Sequence, residues 1–280
     1  MPKPAPDPAR RPDSAGPDPA GHPDSAGGLD LDGYLARWSQ LHGGYDVRSG
    51  LWLVRTFLTF VHRIARPLAV RRVAPSAVTA GGVVLTALVV PASVVGGRWP
   101  LLGLVALILG GVADSVDGAV AVLTGRSTAW GYVLDSVADR CGDVLCLVGL
   151  WCLGAPGGLL VAAGCLLGLL EYTRARAGNA GFGEIGVVTV GERPTRMIVT
   201  GAGLVGAGLV PGLADVAAVV AATATVVVCA IGLLQLTVTL RTALIGAPPP
   251  AGPAPPPPPP SPPPPPPPSP APPTPDVSPS

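Results

Sequence analysis

Residues 114–139 read DSVDGAVAVLTGRSTAWGYVLDSVAD, and apolar sequence runs on from both ends of the stretch. Asp114 and Asp117 lie three residues apart, and Asp135 and Asp139 lie four apart. Both spacings put a pair of side chains on one face of a helix. The first pair closes one apolar run and the second opens the next, with a short polar loop between them. Two antiparallel helices joined by that loop bring four carboxylates toward one point. An ionised carboxylate inside a membrane is costly, so each one is a functional candidate. Converging negative charge calls for a compensating cation, and hard oxygen ligands suit Mg²⁺ or Mn²⁺.

Outward from this stretch, the chain has 280 residues, 48% hydrophobic and only 12% charged, with a mean hydropathy of +0.50. Soluble proteins carry about 25% charged residues, so one soluble globular domain is excluded. Of the 37 prolines, 8 fall in residues 1–23 and 22 in 248–280, which leaves the middle more apolar than the mean. Six apolar spans follow one another at about 76–96, 100–124, 130–153, 157–177, 194–211 and 214–241. Each is near the roughly 20 residues that a bilayer requires. The segment Leu51–Arg72 mixes apolar residues with Arg55, His62, Arg63, Arg66, Arg71 and Arg72. It reads as an amphipathic helix in the headgroup region, its arginines toward lipid phosphates. The expected fold is therefore an all-α integral membrane protein of six transmembrane helices, preceded by an interfacial helix.

The expected organisation is a Pro/Asp-rich disordered tail at 1–28, a juxtamembrane segment at 29–75, a six-helix domain at 76–246 and a polyproline tail at 247–280. Neither tail has enough apolar residues to offset the entropy of ordering it. No apolar stretch of signal-peptide type follows the start. Eleven arginines, including Arg126, Arg174, Arg176, Arg193, Arg196 and Arg241, fall on one side of the six spans, against Arg98 alone on the other. By the positive-inside rule both termini face the cytoplasm, and the expected location is a bacterial plasma membrane.

A net charge of +1 and the lack of a basic-aromatic pattern give no basis for nucleic-acid binding. The five cysteines form no CxxC, and the three histidines, all before residue 63, make no zinc constellation. Glycines 201, 203, 206 and 208 read as small-residue helix contacts, which close packing within the bundle explains as well as a homodimer would.

The pattern Asp114-x2-Asp117-Gly118-x2-Ala121-x9-Gly131-x3-Asp135-x3-Asp139 resembles the signature of the CDP-alcohol phosphatidyltransferases. The likeness runs from about Leu51 to Arg241 and includes Pro75-Ser76-x2-Thr79, with Ser76 where the family commonly has asparagine. The segments Glu171–Ala177 and Gly191–Arg196 resemble the acceptor side of members that make phosphatidylglycerol phosphate or phosphatidylinositol phosphate. The resemblance implies that Asp114, Asp117, Asp135 and Asp139 bind two divalent ions, Mg²⁺ or Mn²⁺. These hold the diphosphate of a CDP-linked lipid such as CDP-diacylglycerol. It implies that Asp139 is the general base on an acceptor hydroxyl, with CMP leaving, and that Gly118, Ala121 and Gly131 make room for the nucleotide.

One position departs from the family, with Val122 where arginine follows the motif alanine. Arg126 lies one turn later if the helix continues, and is the candidate to supply that guanidinium. Arg174, Arg176, Arg193 and Arg196 are candidates for the phosphate of a polyol phosphate acceptor, because guanidinium forks bind phosphate bidentately. Glu171 is expected to pair with one of them, and Asp143 shares the helix face of Asp139. Three other readings compete: a catalytically altered family member, an intramembrane Mg-diphosphate prenyltransferase and a cation transporter. Prenyltransferase aspartates usually fall in two widely separated segments. A transporter commonly shows inverted repeats, and no corresponding halves are visible here.

Overall fold

The computed structural model describes residues 29–41, 46–47, 50–180 and 189–245. The two tails expected to be disordered lie outside these residues. Among the described residues the chain is all-helical, with no strand. Its α-helices are α1 (Leu31–Leu41), α2 (Trp52–Val70), α3 (Pro75–Ala87), α4 (Val89–Val95), α5 (Pro100–Thr124), α6 (Ala129–Cys152), α7 (Gly157–Asn179), α8 (Arg193–Leu209) and α9 (Ala214–Leu244). A single 3₁₀ turn at Pro211–Leu213 leads into α9.

Local chemistry sets most of these boundaries. Pro75, Pro100 and Pro194 stand in the first turns of α3, α5 and α8, where a missing N–H costs nothing. The Thr128 side chain caps α6 by accepting from the Gly131 N–H at 3.0 Å. Helix α5 stops at Gly125, whose φ of +62° glycine adopts without penalty. There the Gly125 N–H donates to Val122 and the Arg126 N–H to Ala121, the bond pair of a Schellman ending. The span expected at 76–96 is two helices, α3 and α4. Pro91 has no N–H to give the carbonyl of Ala87, and its ring crowds that carbonyl, so the helix is interrupted at Leu88.

Among the described residues, four segments are long and apolar enough to cross a membrane: Pro75–Val95, Pro100–Thr124, Gly157–Asn179 and Pro211–Leu244. Exposed apolar residues such as Val84, Leu102, Ile108, Val161, Val220 and Leu234 line their outer faces. A surface of this kind is stable against lipid and not against water. The chain is a membrane protein. Helix α6 interrupts its apolar run with Asp135, Asp139, Arg140 and Asp143, and α8 has only 17 residues.

Three buried clusters hold the described bundle, the smallest joining α7 and α9 through Leu170, Ala177, Leu236 and Leu240. The other two are larger. One joins α4, α5, α6, α8 and α9 through Val89, Leu107, Leu150, Leu204, Ala218 and Ala222. The other joins α1, α2 and α5 through Tyr34, Leu58, Val61, Ala65, Val116 and Val120. Helices α5 and α6 were expected to pack as neighbours, but they make little direct contact. Instead α3 and α4 pack on both. Small residues allow this: a Cβ on Gly82 of α3 would stand 3.2 Å from the Ala113 Cβ and 3.4 Å from the Gly110 carbonyl of α5.

The glycines of α8 are consumed in packing. A Cβ on Gly203 would meet the Ala221 Cβ at 2.7 Å, and one on Gly208 would meet Leu101 at 2.6 Å. Gly203→Val is therefore expected to force α8 away from α9 and to lower the melting temperature in detergent by several degrees, for a cost of about 1–3 kcal/mol. A fluorescence-detected melt checks it, with the exposed Gly168→Ala, whose Cβ would meet open space, as the neutral control.

Candidate active site

The carboxylates of Asp114, Asp135 and Asp139 offer oxygens that all lie within 4.8 Å of one another. Asp114 comes from α5 and the other two from successive turns of α6. None is fully buried. The positive charge nearest them is Arg193 at the start of α8. Its Nη1 stands 2.5 Å from a carboxylate oxygen of Asp114 and 2.5 Å from one of Asp139.

Asp117 has a different setting. It is 5% exposed, and its carboxylate accepts from the Thr79 hydroxyl of α3 at 2.5 Å. Three of the four sequence-predicted metal ligands thus form the tight group, and Asp117 stands outside it. Asp114, Asp117 and Asp135 nevertheless line one cavity of about 880 Å³, enclosed by α1, α2, the start of α3, the C-terminal half of α5 and the start of α6.

The predicted nucleotide residues Gly118, Ala121, Gly131 and Arg126 all line that cavity, as do Ser76, Thr79 and Val122. A Cβ on Gly118 would meet nothing within 4 Å, so its missing side chain is open cavity space. The proposed route for Arg126 needs correction. Helix α5 ends before it, because the left-handed Gly125 turns the chain, so Arg126 reaches the cavity from the loop rather than from one turn further along the helix. Ser76, which stands where the family commonly has asparagine, does not cap α3. It lies inside the first turn of α3, after Pro75, and the N-cap residue is Ala74.

The four acceptor-side arginines divide. Arg193 meets the aspartate cluster. Arg176 is exposed near the end of α7. Arg174 donates to Glu192 at 2.7 Å, and Glu192 also accepts from the backbone and hydroxyl of Thr189, which shapes the entry to α8. Arg196 is 3% exposed, and each nitrogen of its guanidinium has an acceptor. It forms a two-pronged pair with Asp143 at 3.2 and 3.0 Å, reaches Glu171 at 3.2 Å and donates to the Gly191 carbonyl at 2.5 Å.

Arg140 was not anticipated. Its guanidinium stands 2.8 Å from Glu171, 3.2 Å from Asp143 and 3.7 Å from Asp139. Glu171 is thus paired with arginines, as its position suggested. An arginine directly after a motif aspartate, inside an apolar helix, was the available signal. Helix α1 was also missed, although Leu31, Tyr34, Leu35, Trp38 and Leu41 repeat at helical spacing behind Asp30. That aspartate's side chain accepts from the Gly33 N–H at 2.8 Å.

The sequence model of the CDP-alcohol phosphatidyltransferases matches residues 72–231. The chain belongs to that family. It is 37% identical over 106 residues to the phosphatidylinositol phosphate synthase of Mycolicibacterium smegmatis, a match that covers 35% of this chain and 45% of that protein. It is 32% identical over 144 residues to the archaetidylinositol phosphate synthase of Pyrococcus horikoshii, covering 50% of this chain and 73% of that one. The crystal structure of Mycobacterium tuberculosis phosphatidylinositol phosphate synthase with CDP-DAG bound superposes with a TM-score of 0.53 at 26% identity, over 65% of this chain and 94% of that one. The same enzyme in complex with manganese and citrate gives a TM-score of 0.50 at 26% identity, over 63% of this chain and 88% of that one.

The donor set fits a hard divalent cation. It consists of carboxylates alone, with neither sulfur nor imidazole, close enough for their oxygens to share an ion. Asp135→Asn is expected to weaken Mn²⁺ binding by about tenfold or more, while Asp143→Asn, one network away, changes it by less than about twofold. Electron paramagnetic resonance titration of the detergent-purified protein measures both. Arg196→Met is expected to cost about 1–3 kcal/mol by leaving buried Asp143 with Arg140 alone, and the double variant Arg196→Met/Asp143→Leu to recover part of that loss, both read by thermal melts.

Proposed function

We propose that this family member transfers a phosphatidyl group from a CDP-linked lipid, such as CDP-diacylglycerol, to a hydroxyl of a small polyol phosphate. CMP is released, as in phospholipid biosynthesis. The carrying observation is the three-carboxylate group beside a cavity with Gly118 as an open floor. Asp114, Asp117, Asp135 and Asp139 would hold two divalent ions. Once bound, these would offset the negative charge of the diphosphate and of departing CMP. Asp117 reaches that role by exchanging or sharing its bond with Thr79.

The chain's own residues carry the rest. A carboxylate oxygen of Asp139 takes the proton from the acceptor hydroxyl. The resulting alkoxide attacks the phosphorus on the lipid side of the diphosphate, the bond from that phosphorus to the bridging oxygen breaks, and CMP leaves. Gly118, Ala121 and Gly131 let the nucleotide lie close to the helix backbones, and Arg126 supplies a guanidinium beside Val122. Arg193, Arg174 and Arg176 draw the acceptor phosphate toward Asp139. Arg196, the fourth arginine of that group, acts from behind by fixing the turn at Gly191. Arg193 then divides its charge between Asp114, Asp139 and the incoming phosphate, which aligns the acceptor hydroxyl with its base.

The architecture that serves this reaction has six spans, with α6 and α8 added to the four apolar ones, since charges on α6 turned toward the bundle interior need not meet lipid. Helix α2 lies in the interface with Arg55, Arg63 and Arg66 exposed and Leu58, Val61 and Ala65 buried. Residues 76–246 form the catalytic domain, in a bacterial plasma membrane with both termini cytoplasmic. The phosphatidylinositol phosphate synthases among the relatives favour an inositol phosphate acceptor over glycerol 3-phosphate.

Purified protein in lipid nanodiscs, given CDP-diacylglycerol, Mg²⁺ and a panel of phosphorylated and free polyols, is expected to release CMP with one phosphorylated acceptor. Asp139→Asn should lower that rate about 10²–10⁴-fold, the range for loss of a general base. Equal use of free and phosphorylated polyols would overturn the acceptor assignment, and absence of CMP release across the panel would overturn the donor reading. Gly118→Val should raise the donor KM several-fold without lowering the melting temperature, because its Cβ enters open space.

A further inference from the structure

Helix α1 lies wholly before residues 72–231, the stretch on which family membership rests, yet it forms part of the cavity wall. Tyr34, Trp38 and Leu41, spaced four and three residues apart, put one face of α1 on the cavity. The helix is fastened firmly. Tyr34 is 1% and Leu35 5% exposed, packed in a cluster with Leu58 and Val61 of α2 and Val116 and Val120 of α5. His62 of α2 lies with its ring centroid 5.3 Å from that of Tyr34 and its Nε2 3.4 Å from the Leu29 carbonyl. Burial pushes the Tyr34 hydroxyl up to about 12, so it stays neutral. Trp38 is only half-buried, so indole surface remains beyond the packed cluster.

The position of α1 selects which part of the donor it meets. It packs against α5 in the cluster that holds Val116, Ala119, Val120 and Leu123, and the polar loop at Arg126–Thr128 lines the same cavity. Its outer face carries exposed Asp32, Arg37 and Gln40, a face suited to water and not to acyl chains. The diphosphate is drawn to the aspartates, and the acyl chains need the apolar flanks of the bundle. What remains for the α1 side is the flat pyrimidine nucleoside, and an indole is the side chain best suited to its π face. We infer that α1 is a wall of the donor site, and that Trp38 is a specificity-determining residue that contacts the cytosine ring. This rests on the CDP-linked donor proposed above.

The test uses the full chain in nanodiscs with Mn²⁺, with CDP, which lacks the lipid, as the probe for binding. Trp38→Ala is expected to raise the CDP dissociation constant by about tenfold and the donor KM by a similar factor, with the acceptor KM within about twofold. Trp38→Phe should restore most of the affinity. On the wild-type protein, photocrosslinking with 5-iodo-CDP should label the peptide containing residues 29–41, a readout that does not depend on any variant folding. An unchanged CDP affinity in Trp38→Ala, or label confined to other peptides, overturns the inference. A donor KM raised with CDP affinity intact also overturns it, assigning α1 to the lipid part. If wild-type protein releases CMP while these results fail, only the role of α1 is lost. If it neither binds CDP nor releases CMP, the donor reading itself falls and the inference with it.

Discussion

Three like charges held together inside an apolar bundle are the constraint on which the rest depends. Asp114, Asp135 and Asp139 offer oxygens within 4.8 Å of one another, and such a group persists only beside positive charge. Among the described residues that charge is chiefly Arg193, which contacts Asp114 and Asp139 together, with Arg140 further off at Asp139. The contact explains why α8 begins where it does. Its first residue must reach across to α5 and α6, and Glu192, tied to Thr189 and Arg174, fixes the turn that delivers it.

Behind this cluster lies a second network in which charge is matched more completely. Asp143, Glu171, Arg140 and Arg196 join α6, α7 and α8 through multiple ion pairs, with Arg196 and Asp143 almost wholly removed from solvent. In a membrane, polar groups with no partner are costly, so an internally paired set fixes the relative register of three helices. Arg140 is part of this set and is also close to Asp139, which links the rigid network to the reactive end. The two charged layers therefore differ in kind. In the inner one each charge has an opposite charge within 4 Å, and in the outer one Asp114 and Asp135 line the cavity.

The cavity follows from how α5 and α6 are held apart. A loop of four residues joins them, yet α3 and α4 occupy the space between, approaching α5 closely through Gly82 and Gly110. The C-terminal half of α5 and the start of α6 diverge on the other side, and α1 and α2 close over the gap. Phe57 of α2 and Trp38 of α1 line the same space as Asp114 and Asp117, so apolar surface and charge meet in one cavity.

Much of this was legible in the chain itself. The span limits anticipated at 100–124, 130–153 and 157–177 agree closely with α5, α6 and α7, because Pro100, Gly125 and Thr128 act through local backbone chemistry. The aspartate spacing pointed to carboxylates that converge, and the structure brings Asp114, Asp135 and Asp139 together. The break at Leu88 was within reach from Pro91, and α1 from its apolar period. Other features could not be read from the sequence. That Arg196 is buried while Arg176 is exposed depends on which face α8 and α7 present to their neighbours, and both residues look alike in sequence. That Asp117 bonds Thr79 while Asp114 meets Arg193 depends on α3 standing between α5 and α6. Sequence alone determined the helices, their apolar length and the residue types able to hold a cation, because these follow from neighbours within one turn. Only the tertiary structure decided which charges meet, because ion pairing depends on a few ångströms between helices far apart in the chain.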